Sequence, residues 1–218
     1  VIIFVAVLLI LLSYLYGCFS TARVLAKSVR SLNIYKVGTG FADTENIYSN
    51  ISKPLGILAG AVDVVKSYGY LYFLRLFLTI MNYAAVPPDI SVLYSTNLMM
   101  VYGLAMLIGH CLPLTNHLRG GRGIFTYMGM IAFFTLYPTM VTVLLALLLV
   151  FIFKQVRFTQ YTIVILPVLL TQICSSFKVC AFMSEPFAIT PLFTTKLLGI
   201  ALMMGVLNFV VSKKLGEF

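Results

Sequence analysis

The sequence predicts an all-α, polytopic integral membrane helix bundle of about seven transmembrane helices, and three observations carry that prediction. The 218 residues are 61% hydrophobic and 10% charged with a mean hydropathy of +1.04, more apolar surface than a soluble domain of this size buries. The apolar runs are continuous rather than alternating, and seven of them cannot close an even-stranded barrel, so helices are preferred over strands. The basic residues sit in short connections between runs, which fits membrane orientation better than a nucleic-acid face despite a net charge of +9. The spacing of the runs argues for a single membrane-embedded domain over residues 1–218, with no linker. Cys18, Cys111, Cys174 and Cys180 show no metal-ligand spacing and read as small apolar residues, so neither a metal nor a cofactor is expected.

The first run, Val1 to about Ala26, ends in Arg23, Lys27 and Arg30, which mark a water-side end. The chain does not begin with Met and reads as a stretch of something longer. With no basic region before it and no cleavage pattern after it, the first run is taken as a span and not a signal peptide. A polar loop from Ser31 to Lys53 follows, and its centre, Lys36 to Asn46, has the small and hydrogen-bonding residues of a ligand loop. Leu55 to about Ile80 is the second span. Asp63 and Lys66 lie one turn apart on it, and ionisable groups at that depth need protein partners. They read either as an internal ion pair fixing this span against the first loop or as a catalytic pair.

Asn82 to Leu93, with Pro87-Pro88, is a loop, and Tyr94 to about Leu114 the third span. Ile124 to Tyr137 and Thr139 to Phe153 are two short runs separated by Pro138, which fits a tight re-entry. Both fall below the usual ~20 residues, so thinning or burial against neighbours is required. Phe158 to about Phe177 and Phe193 to about Val211 complete the set, joined by a loop with Glu185 and Pro186. Placing the N-terminus outside puts eleven basic residues on the cytoplasmic face and two, Lys178 and Lys196, outside, with Lys66 and Arg75 within a span. The first loop, the connection after the third span and the C-terminal segment then share one face.

The connection after the third span is the polar centre of the chain. Gly109-His110-Cys111-Leu112-Pro113-Leu114-Thr115-Asn116-His117-Leu118-Arg119-Gly120-Gly121-Arg122-Gly123 holds both histidines, and its last five residues set three glycines around two arginines. Irregular backbone between apolar runs must lie in water, at an interface or around a ligand. Glycines allow close backbone approach, and guanidinium forks match phosphate oxygens, so an anion is the natural guest. Arg119 and Arg122 also read as plain positive-inside anchors, and His110 either as a general base or as a donor to a loop carbonyl. Thr39 and the amides of Gly38 and Gly40 can form a second small nest for phosphate.

These segments resemble, in order, the motifs of the bacterial acyl-phosphate:glycerol-3-phosphate acyltransferase family. Lys36-Val37-Gly38-Thr39-Gly40 through Asn46 is similar to the family's KVGSGNIGATN, and Asp63-Val64-Val65-Lys66 to its D-x-x-K. Gly109-His110, Pro113 and Arg119-Gly120-Gly121-Arg122-Gly123 are similar to GHxFP followed by KGGKG with the same spacing, and Asn208 with Lys213-Lys214-Leu215-Gly216 to a weaker third motif. The resemblance implies acyl transfer from acyl phosphate to the primary hydroxyl of glycerol 3-phosphate, giving lysophosphatidic acid for phospholipid synthesis, in the bacterial inner membrane, without coenzyme A, carrier protein or metal. It implies catalytic places for Thr39, His110 and Asn208, and phosphate contacts from Gly38, Gly40, Asn46, Arg119, Gly120, Gly121, Arg122 and Gly123.

Several positions depart from the pattern. Phe41 stands for asparagine, Asp43 for glycine, Glu45 for threonine, Ser49 for arginine, and Gly205 and Val206 for histidine and arginine, while both lysines of the second motif are arginine. A second reading is therefore a catalytically silent relative that binds an anionic lipid or phosphate ligand. A small-solute transporter, suggested only by Asp63, Lys66 and Arg75, is a third. The small apolar residues are scattered and mark no dimer face.

Overall fold

The computed structural model describes residues 1–84, 90–177 and 191–214, and every regular element among them is helical. Pro87-Pro88, Lys178, Cys180, the loop with Glu185 and Pro186, and Leu215-Gly216 lie outside the described residues. The helices are α1 (Ile2–Gly17), α2 (Thr21–Arg30), α3 (Thr44–Asn50), α4 (Lys53–Ala84), α5 (Thr96–Cys111), α6 (Ile124–Phe134), α7 (Leu136–Phe153), α8 (Val156–Ser176) and α9 (Pro191–Lys214). Six stretches, Ile2–Arg30, Lys53–Ala84, Thr96–Asn116, Leu136–Phe153, Phe158–Ser176 and Leu192–Lys213, are long and apolar enough to cross a membrane. The protein is a multi-pass integral membrane bundle.

The outer helices α1 and α7 turn small and polar side chains inward and large apolar ones outward, the reverse of a soluble bundle, whereas α5 and α6 bury large apolar side chains such as Met99, Tyr102, Met106 and Phe134. On α1 only Ser13 and Gly17 are buried, while Ile3, Phe4, Val7, Leu8, Leu11, Leu12 and Leu15 are exposed. On α7 the buried residues are Pro138, Thr139, Thr142 and Ala146. Lipid tails are as apolar as leucine, so helix association rests on close packing and hydrogen bonds rather than on hydrophobic burial. The inward hydroxyls are satisfied within their own helices: Ser13 donates to the Leu9 carbonyl at 2.7 Å and Thr142 to Pro138 at 2.8 Å. Close approach is plainest where α1 crosses α5. A Cβ at Gly17 would lie 2.0 Å from the Met106 carbonyl oxygen, and one at Gly109 2.1 Å from that of Tyr14. Rigid backbone stands on both sides, so no side chain can yield.

The structure corrects two expectations about the spans and bears on a third. The first run is broken: α1 ends at Gly17, and α2 starts after Ser20, whose side chain caps it by accepting from the Arg23 amide at 3.2 Å. The break frees the Phe19 carbonyl, which accepts from Lys66 Nζ at 2.8 Å. The separation near Pro138 falls instead at Thr135, with Pro138 in the first turn of α7, where a missing N–H costs no helical bond. The fourth run is an 11-residue helix, α6, roughly 16 Å long at 1.5 Å per residue and too short to cross alone. All of it except Phe125 is buried, chiefly against α4, with α7 and α8 also in contact. Burial against neighbouring helices, one of the two alternatives expected for so short a run, is what the structure shows.

Candidate functional site

Two polar connections that are far apart in sequence meet at one end of the bundle. The first, residues 31–52, is organised by Asn46, which is wholly buried. Its Nδ2 donates to the carbonyls of Ile34, Val37 and Phe41, and its Oδ1 accepts from the Thr39 amide and from Asn50. Gly38 and Gly40 turn the chain at φ +56° and +73°, and the Thr39 hydroxyl accepts from the Phe41 amide at 3.4 Å. Asp43 then caps α3 by accepting from the Asn46 amide at 2.9 Å.

The second connection leaves α5 through a short turn, Leu114–Asn116, and doubles back over the end of that helix. Gly120 and Gly121 lie flat against backbone. A Cβ at Gly120 would stand 2.2 Å from the His110 carbonyl oxygen, and one at Gly121 2.7 Å from that of Ala42. Any side chain at Gly121 would therefore push the two connections apart. A hydrogen bond from the Tyr35 hydroxyl to the Arg119 carbonyl, 3.1 Å, also links them.

Between them sits Arg122, 3% exposed. Its Nη1 donates to Glu45 Oε2 and lies 3.6 Å from Asp43 Oδ2, and its guanidinium stacks 4.4 Å from the centre of the Phe41 ring. Gln160 of α8 donates to the same Glu45 oxygen at 2.6 Å, and Asn208 of α9 donates to the Arg122 carbonyl at 3.3 Å. Three of the four first-connection departures, Phe41, Asp43 and Glu45, thus converge on this one arginine. Sequence separation hid the convergence, and it hid Gln160 as well, whose only signal was a polar residue near the start of an apolar run.

Asp43 is in the least favourable place of these groups. Burial pushes its carboxyl up from 3.8 to about 6, more than the pull of the Arg122 guanidinium and the Asn46 amide in the other direction. The folded state therefore holds this proton more tightly than the unfolded chain, so the group's contribution to stability is full below about 4 and is lost as the pH rises through about 6. Asparagine keeps the Oδ1 cap without the charge. Asp43→Asn is expected to match wild type in melting temperature near pH 4.5 and to exceed it at pH 7.5. Parallel curves across that range would refute the assignment.

A cavity of about 30 Å³ is lined by Asp43, Glu45, Asp63, His110, Arg122 and Gln160, among others. His110, 4% exposed, points its ring into this polar region, and its Nδ1 has no hydrogen-bond partner among the described residues. Asp63 accepts from the Thr21 hydroxyl at 2.7 Å and lies 3.2 Å from Lys66 Nζ. That pair ties α4 to the α1–α2 break, not to the first loop as expected. Beyond Arg122 and Gln160 a groove of about 490 Å³ runs between α8 and α9, with apolar walls such as Val164, Val168, Leu198 and Leu202 and with Asn208 and Ser212 at polar positions. Gly205 lines it, and nothing lies within 4 Å of where its Cβ would be. Val206 is 55% exposed.

Of the sequence candidates, Arg122, His110 and Gly123 line the cavity, Asn208 binds the Arg122 backbone, and Gly120 and Gly121 form the junction. Arg119, Thr39 and Gly38 are exposed and outside the cavity lining. Asn46 is not free to take phosphate either, because the loop backbone and Asn50 use its whole amide.

Comparison with known proteins gives a consistent result. The family model described as glycerol-3-phosphate acyltransferase matches residues 7–213. Glycerol-3-phosphate acyltransferase 1 of Lactobacillus acidophilus is 29% identical over 145 residues, 66% of this chain and 63% of that protein. The Zymomonas mobilis glycerol-3-phosphate acyltransferase is 27% identical over 57% of this chain and 56% of its own length. The aligned stretch thus spans less than two thirds of these relatives. The crystal structure of PlsY (YgiH), an integral membrane glycerol 3-phosphate acyltransferase, in its glycerol 3-phosphate form superimposes with a TM-score of 0.68 at 20% identity, covering 96% of this chain and 88% of that one. Its lysophosphatidic acid form gives 0.64 at 19% identity, with the same coverage.

Proposed function

Because this chain belongs to the glycerol-3-phosphate acyltransferase family, we propose that it transfers an acyl group from acyl phosphate to glycerol 3-phosphate, giving lysophosphatidic acid for phospholipid synthesis. The observation that carries this reading is the meeting of both loops and α9 on a buried Arg122 at the head of a long apolar groove. A phosphate at the polar head and an acyl chain in the groove is the ligand shape that such a site suits. The glycerol hydroxyl attacks the acyl carbonyl, the anhydride C–O bond breaks, and the hydroxyl proton leaves with the phosphate. A mixed anhydride is already activated, so the protein's part is orientation and charge neutralisation. Arg122 and the backbone at Gly123 would hold phosphate, with His110 beside them and Asn208 fixing the Arg122 backbone. No metal or organic cofactor is required by this chemistry.

The positive-inside distribution supports an N-terminus outside and a site facing the cytoplasm, the compartment of glycerol 3-phosphate, in the inner membrane of a bacterium. Purified protein in lipid nanodiscs, given palmitoyl phosphate and labelled glycerol 3-phosphate, is expected to form labelled lysophosphatidate. No product above the boiled control refutes the reading.

Two observations favour a second reading, a relative that binds an anionic lipid or phosphate without turnover. Asp43 and Glu45 hold Arg122, and Gly205 leaves an opening where the family pattern has histidine. That reading predicts phosphate binding with no product, and activity gained in Ser49→Arg with Gly205→His.

A further inference from the structure

We propose that the Glu45 carboxylate is a resident occupant of the anion seat at Arg122, so that a phosphate-bearing substrate binds there only by displacing it. The inference rests on the reading of Arg122 as the phosphate contact. Glu45 Oε2 takes hydrogen bonds from both Arg122 and Gln160, the convergent pair of donors that a phosphate oxygen would use. The remaining cavity of about 30 Å³ holds a water or two and cannot admit a glycerol phosphate beside Glu45. The Phe41 ring and Asp43 also lie against Arg122, so Glu45 is the partly exposed member of the set around it. Arg122 and Gln160 line both the cavity and the α8–α9 groove, so the carboxylate they share stands where polar head and apolar groove join.

The arrangement is built to release. The Glu45 side chain is 21% exposed while that of Arg122 is 3% exposed, so the carboxylate can swing to water while the guanidinium stays. Glu45 lies in the first turn of α3, whose cap depends on Asp43 and not on Glu45, so its departure leaves the helix start intact. Displacement makes binding a competition between two anions for one guanidinium. An internal anion of this kind selects for the substrate with the greater charge and the second anchor in the groove, and it weakens small anions that have only the charge.

The test uses the full chain in nanodiscs and titrates inorganic phosphate and glycerol 3-phosphate, following heat or the rise in melting temperature. Glu45→Gln keeps an acceptor for Gln160 and removes the competing charge. It is expected to bind both probes about tenfold more tightly than wild type, a typical scale for removing one charge-assisted contact. Glu45→Asp, with a carboxylate one methylene shorter, is expected to fall between them. Equal affinities in wild type and Glu45→Gln overturn the proposal, as does weaker binding in the glutamine variant, which would make Glu45 a contact for the ligand. If Glu45→Gln is too unstable to purify, the Glu45→Asp comparison decides by the same criterion. Tighter binding with no lysophosphatidate from either protein upholds the occupant and refutes the acyltransferase reading, so the two fail separately.

Discussion

Arg122→Ala should lower lysophosphatidate formation at least about 100-fold, the scale seen when a preorganised charge that stabilises a transition state is removed. Arg122 is the buried cation at the junction of the small cavity and the α8–α9 groove. Arg119 does not replace it there, because it is exposed and presents its backbone carbonyl to Tyr35 and Asn116. Arg122→Lys should recover part of the rate, since a lysine restores charge but not the two-pronged guanidinium geometry. The alanine variant also strands the carboxylates of Asp43 and Glu45, so a loss of activity alone could reflect a damaged fold. Arg122→Ala with Asp43→Asn and Glu45→Gln removes both of those carboxylates. Melting temperature restored with activity still lost assigns the loss to chemistry, whereas a rate within a few-fold of wild type in the single variant refutes the role.

Asp63→Ala should produce the largest loss of stability, about 3–5 kcal/mol, because it leaves the Lys66 ammonium buried without its anion. Asp63 and Lys66 are 2% and 9% exposed, and between them they hold the Thr21 hydroxyl and the freed Phe19 carbonyl. For a chain of this length that corresponds to a fall of roughly 10 °C in melting temperature. Asp63→Asn with Lys66→Met, which removes both charges at near-constant volume, should regain most of it. Comparing single and double variants separates the pair's two roles. Stability regained together with turnover assigns the pair to architecture. Stability regained with turnover still absent makes Asp63, which also lines the cavity beside His110, part of the site.

Much of the architecture was legible along the chain. Continuous apolar runs specify helices in a membrane because an unpaired backbone group in lipid costs several kcal/mol, and this holds whatever the helices touch. The two polar connections, the motif glycines and the paired Asp63 and Lys66 stand out for the same reason: polar residues in an oily sequence need a cause. The break after Gly17 was less legible, since Cys18 to Ser20 carries no helix-breaking residue and the Ser20 cap shows only once the Phe19 carbonyl finds Lys66. Pro138 misled because proline stops a helix only when its missing N–H was needed, and in the first turn of α7 it is not.

By itself, the sequence determined that this protein is a helical membrane bundle with a basic, glycine-rich centre, because periodicity, hydropathy and charge are local properties written residue by residue. Only the tertiary structure decided which cation sits at that centre. Arg119 and Arg122 are the same residue three positions apart, yet the packing of Gly120 and Gly121 onto the His110 and Ala42 carbonyls leaves one in water and buries the other. It also decided what faces that cation: Glu45 is 77 residues away along the chain and Gln160 is 115 from Glu45. Whether a buried charge meets an opposite charge or an open seat depends on distances through space, which no stretch of the chain specifies alone.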